Sequence, residues 1–220
     1  MGEEFEFERN RAYHRLVSMI FGGELRHGAP LSERKLAEKL GMSRMPVHEA
    51  LRQLEQEGVV EVKPARGTFI RPVEAGDLND ICKVREALEC LAADLAATHG
   101  ASPALKACGT RMRIMAQDPS AFTAAEIDDV GTEFHELLMQ SSSNAALIET
   151  MRLLRLRFRL AFHLPRYLSP EKVDATLAEH LAIFDAVAAR DAKAASRLMR
   201  EHLGRGLEMR LRAISSSEPV

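Results

Sequence analysis

No hydrophobic run in this sequence approaches the ~20 residues that a helix needs to span a bilayer. The first residues, MGEEFEFERN, are acidic where a secretory leader would be basic and then apolar. The reading that follows is a protein that does not enter membranes and works in the cytoplasm. Cysteine is scarce: Cys82, Cys90 and Cys108 are odd in number, share no CxxC spacing and fall in helical patterns that would bury a small apolar side chain. Disulfides and thiolate metal sites are therefore not expected. Internal repeats and low-complexity tracts are lacking too. Nor does one sign of charge dominate, since 30 Lys and Arg stand against 32 Asp and Glu, which argues against a uniformly basic nucleic-acid binder.

What the chain does have is an ordinary globular composition, 46% hydrophobic and 28% charged, and at 220 residues enough length for two domains with separate cores. Its charge is unevenly placed. The first eight residues carry −4, residues 9–71 carry 12 basic against 7 acidic groups, and the remainder carries 18 against 21. Basic charge is thus gathered in one small module, as expected when one domain meets phosphate and the other does not.

Hydrophobic spacing predicts a first helix over residues 9–26, broken by GGELRHGAPL. Ser32 reads as the cap of a second helix over residues 33–40 that ends at Gly41, and Ser43 as the cap of a third. Pro46 falls in the third helix's first turn, where no intrahelical donor is lost. Two β-rich runs, residues 59–63 and 68–71, flank Pro64-Ala65-Arg66-Gly67, which is hairpin chemistry. Beyond residue 73 only helical periods appear, in six segments broken near residues 100–103, 118–120, 141–144, 165–170 and 190–191. A tail from residue 215 is expected to be disordered. The fold class is mostly α: a winged helix-turn-helix over residues 1–75, followed by an all-α antiparallel bundle over residues 76–220.

Two short helices joined by Gly41-Met42-Ser43, the second opening with Arg44, suit a major groove, with Arg34 and Arg44 flanking the recognition helix's amino terminus. Guanine is the natural partner of arginine. The run PLSERKLAEKLGMSRMPVHEALRQLEQEGVVEVKPARGTFI resembles the DNA-binding domain of the GntR family of regulators. The resemblance implies DNA contacts from Arg34, Ser43, Arg44 and His48, with Pro46 among them, and a wing around Gly67 that approaches the minor groove. His48 departs from the arginine usual in the family. A mostly neutral imidazole should bind phosphate or guanine more weakly.

Residues 77–212 resemble the helical effector domain of the FadR branch of that family, in its metal-binding FCD form, through KVREALECLAADLA, EFHELLMQSSSN, EHLAIFDAVAARDAKAA and LMREHL. Independently, at ~100° per residue His135, His180 and His202 each fall on or at the edge of an apolar helix face. Three inward imidazoles need partners, and one divalent metal, zinc or nickel, would satisfy all three. The family's usual fourth ligand is an aspartate where this chain has Gly131. Asp128 and Asp129 stand about a turn too far or on the wrong side. Restoring the carboxylate by Gly131→Asp is expected to tighten metal binding. Arg152, Arg155, Arg159 and His163 form one stripe, read as a solvated or subunit-interface face. Arg157 instead falls in the apolar arc of Leu153, Leu154, Ala161 and Leu164, where a ligand carboxylate or an internal acid would have to pair it. Arg85 and Glu89 stand one turn apart and can pair with each other, and the resemblance places Arg85 near the effector pocket.

These features describe a ligand-responsive transcriptional repressor: a homodimer on a near-palindromic double-stranded DNA operator, with a small carboxylate metabolite and a divalent metal in the helical domain. The competing class is an enzyme that activates water on a three-histidine metal, but no general base stands at a supporting spacing. A purely protein-binding module would leave the recognition helix and wing unexplained.

Overall fold

The structure, a computed structural model, describes residues 2–25, 28, 30–72, 75–162 and 170–216. Two compact units emerge: Met1–Asp77 together with Leu153–His163, and Leu78–Arg152 together with Leu164–Val220. The boundary lies beside the one expected near residue 75. The segment Leu153–His163, expected in the helical domain, groups with the amino-terminal unit.

The amino-terminal unit begins with α1 (Gly2–Phe21). It starts and stops earlier than the apolar spacing predicts. Glu6 with Arg9 and Glu8 with Arg11 form ion pairs one turn apart, and acidic residues suit the positive end of the helix dipole. Gly23, at φ 74°, then ends the helix in a left-handed turn. The strand β1 (Pro30–Leu31) leads into α2 (Glu33–Leu40). The hydroxyl of Ser32 accepts from the amide of Lys35, and Gly41 closes α2 at φ 63°. In α3 (Arg44–Gln56) the buried residues Val47, Ala50, Leu51 and Leu54 share a core with Ala12, Leu16, Met19 and Ile20 of α1. A hairpin of β2 (Val60–Lys63) and β3 (Gly67–Ile70) completes a sheet of order β1-β3-β2, antiparallel throughout, with Lys63 opposite Gly67 at its turn. This is the expected wing.

After the wing come the six helices read from the sequence: α4 (Ala75–His99), α5 (Pro103–Gln117), α6 (Ala124–Ser141), α7 (Ala145–Phe162), α8 (Pro170–Ala188) and α9 (Ala192–Ser216). The second part of α7 groups with the first unit, where Leu156 joins the core. Phe134 and Leu138 of α6 pack with Leu105 and Met112 of α5, Leu177, Ile183 and Phe184 of α8, and Met199 of α9. The three cysteines are buried, as their helical patterns predict. The break expected at residues 165–170 and most of the carboxy-terminal tail lie outside the described residues, although α9 continues through Ser216. Among the described residues no helix is long and apolar enough to cross a membrane.

Candidate functional site

On the recognition helix, Arg44 occupies the first position with its side chain 70% exposed. One turn on, His48 turns Nδ1 to Oε1 of Glu33 at 2.8 Å, while Oε2 of Glu33 lies 3.8 Å from the Arg44 guanidinium. Arg34, on α2, is exposed and pairs with Glu38 at 2.7 Å. Ser43 is exposed and has the extended backbone of a cap residue, but its side chain makes no capping hydrogen bond, contrary to the expected hydroxyl cap. Pro46, expected among the DNA-contacting residues, is buried in the first turn of α3. Gly67 is exposed at the base of the hairpin turn. Met45, which sequence reasoning passed over, is 58% exposed. Its signal was its place about 60° around the helix from His48, on the polar face.

In the helical unit, α6 supplies His135, α8 supplies His180 and α9 supplies His202. Their Nε2 atoms converge: His135 to His180 is 3.1 Å, His180 to His202 3.3 Å, and His202 to His135 3.3 Å. Behind them stand two carboxylates. Nδ1 of His135 meets Oε2 of the buried Glu89, whose other oxygen holds Nε of Arg85. Nδ1 of His202 meets Oε2 of Glu179 at 2.7 Å, and Arg205 Nε donates to the other oxygen of Glu179 at 2.6 Å. The Arg85 and Glu89 pair was legible from their spacing; Glu179 was not.

This arrangement constrains the protons. A carboxylate can only accept, so Nδ1 of His135 and of His202 carries the hydrogen and each Nε2 turns a lone pair inward. His180 can donate to only one of them. Hydrogen bonds therefore cannot satisfy all three nitrogens together, whereas a cation can. The spacing fits as well, because nitrogens ~2.0–2.1 Å from a zinc ion lie about 3.0–3.4 Å apart. Burial, then the neighbouring His135 and His202, hold His180 well below the ordinary imidazole value. Burial also lowers His202, although Glu179 opposes it. Burial would raise Glu89, but Arg85 and His135 outweigh it and leave the carboxyl strongly lowered.

Gly131 lies beside this cluster. A Cβ there would stand 2.7 Å from Cε1 and 3.1 Å from Nδ1 of His180, so the imidazole ring fills the space where a side chain would begin. The expectation that Gly131→Asp simply restores a ligand is thereby corrected. Arg157 groups with the amino-terminal unit, where its side chain lies over Gly58, 3.1 Å from where a Cβ would be. The side chains of Arg155 and Arg159, and His163, lie outside the described residues.

Residues 8–70 match the pattern of the bacterial regulatory proteins of the gntR family, and residues 80–205 match the FCD domain. The chain is 29% identical to the transcriptional repressor RspR of Escherichia coli K12 over 180 residues, 80% of this chain and 77% of that one. It is 34% identical over 200 residues to a helix-turn-helix transcriptional regulator in an unstable DNA locus of Streptomyces ambofaciens, covering 89% of this chain and 81% of that one. Its fold resembles the solved structure of E. coli McbR/YncC, with a TM-score of 0.76 at 23% identity over 94% of this chain and 98% of that one. These likenesses point to a transcription regulator and away from the enzyme reading. The chain belongs to the GntR family of transcriptional regulators, with a helical FCD domain following its winged helix-turn-helix.

Proposed function

We propose that this regulator is a repressor that binds a near-palindromic operator as a homodimer, and that a divalent metal and a small organic acid in the helical domain set its affinity for DNA. The observation that carries the sensing half is the convergence of three Nε2 atoms, two of them fixed as lone-pair donors by Glu89 and Glu179. His135, His180 and His202 would hold the metal. Zinc and nickel suit three neutral imidazoles, and no anionic ligand stands at Gly131. When bound, the metal supplies net positive charge that favours an anion beside it. Arg85, held by the same Glu89 that meets His135, would extend that attraction to a carboxylate.

The test begins with elemental analysis of protein purified without a histidine tag. Stoichiometric zinc or nickel is expected in the wild type and should be lost in His180→Ala. No metal in the wild type, and none taken up on addition, would refute the metal assignment. Operator binding is tested separately with Arg44→Ala, which should weaken a selected operator by about 1–3 kcal/mol at matched salt while leaving the fold intact. Wild-type affinity in that variant would remove Arg44 from the interface.

A further inference from the structure

The likeness to the family leaves position 48 without an account, because it carries a histidine in place of the usual arginine. The geometry points to Glu33 as a positioning residue that makes His48 a hydrogen-bond acceptor toward DNA, so that this chain reads an exocyclic amine, cytosine N4 or adenine N6, where arginine would read guanine. This inference rests on the operator reading above.

Oε1 of Glu33 lies 2.8 Å from Nδ1 of His48, and a carboxylate has nothing to donate, so the hydrogen of the ring sits on Nδ1. The other ring nitrogen of a neutral imidazole is then a lone pair. With its side chain 45% exposed on the outer face of α3, His48 presents that nitrogen to a groove. The negative charge of Glu33 is already faced by a cation, since the Arg44 guanidinium stands 3.8 Å from Oε2. No second positive charge is needed at position 48 to balance it. The other charged side chains nearby have partners of their own: Arg34 pairs with Glu38 and Arg52 with Glu49.

An acceptor and a fork of donors read different bases. Arginine offers paired N–H groups to O6 and N7 of guanine, or to phosphate. A lone pair on Nε2 repels both and accepts from the amino group of cytosine or adenine. Glu33 comes from α2, so one helix of the motif sets the hydrogen-bonding sense of a side chain on the other. Without it, the ring would be free to place its proton on either nitrogen, and the discrimination would blur.

Selection from a duplex library with a randomised half-site, run with full-length protein at about pH 8, where a free imidazole is neutral, tests this. Wild type should enrich cytosine or adenine at one half-site position. His48→Arg should turn that position to guanine, and His48→Phe should erase its preference while the other positions persist. Glu33→Ala should reduce the preference there roughly tenfold, and Glu33→Gln, which keeps an acceptor for the Nδ1 hydrogen, should retain it. Guanine at the position that the His48 variants alter, or an unaltered preference in a folded Glu33→Ala protein, overturns the inference. So does a motif that no His48 variant changes. If folded wild type returns no recurring half-site, the operator reading fails and this inference with it.

Discussion

At Gly131 the α6 backbone carries no side chain, and the His180 ring lies where one would begin. Two effects compete on substitution. Replacing a helix-interior glycine contributes about 0.5–1 kcal/mol, whereas forcing a side chain into an occupied core site costs about 1–3 kcal/mol. The ring cannot swing aside freely, because Phe134, His135 and His202 lie 5.2, 4.9 and 4.6 Å from it, centroid to centroid. Gly131→Asp is therefore expected to destabilise the protein by about 1–2 kcal/mol and to weaken zinc uptake, with Gly131→Ala sharing the steric part. Thermal unfolding and zinc titration check this; tighter uptake at an unchanged Tm would show that the ring yields. The histidines themselves were legible because each sits among apolar residues of its own helix. Glu179 was not, since it precedes His180 by one position, points about 100° away from it, and meets His202 only once α8 and α9 have packed.

Helix ends decide where such side chains land. α6 starts in a reciprocal cap: the Thr123 hydroxyl accepts from the Glu126 amide at 3.2 Å, and the Glu126 carboxylate accepts from the Thr123 amide at 2.8 Å. Thr123→Ala should cost about 0.5–2 kcal/mol, seen as a fall of a few degrees in Tm. Metal content should not change, because His135 lies several turns downstream, beyond the part that frays. Loss of metal in that variant would mean that the cap sets the phase of the whole helix. Most element ends were readable from such local chemistry, including Ser32, Gly41, the break near residues 100–103 and the six-helix count. The early start of α1 was not, because charged residues set it and the apolar stripe begins only at Ala12. Ser43 takes the extended backbone of a cap residue without making the cap hydrogen bond expected of its hydroxyl.

Across the molecule, two units were expected from the shift in composition near residue 73, but the grouping of Leu153–His163 with the first was not. A helical period reports that a face is apolar and does not say which core will receive it. Leu156 is such a residue. At this scale the buried histidines also predict how stability depends on pH. His180 and His202 are lowered from the ordinary 6.5, so below that value the unfolded chain binds protons that the folded chain refuses. Stability then rises with pH, and it is lost as pH falls below about 6.5. Glu89 and Glu179, lowered from 4.5, add a second loss below that value. Chelator-treated protein should accordingly show Tm falling as pH drops from about 7.5 to 5.5, with a shallower slope in His180→Leu. A flat Tm over that window in both proteins would show that these rings take up protons without unfolding. The same desolvation has a calorimetric consequence. Side chains that are already neutral have no proton to surrender, so His180 and His202 would load a cation near neutral pH without acidifying the solution. The heat they contribute would then be the same in phosphate as in Tris, whatever the ionisation enthalpy of the buffer.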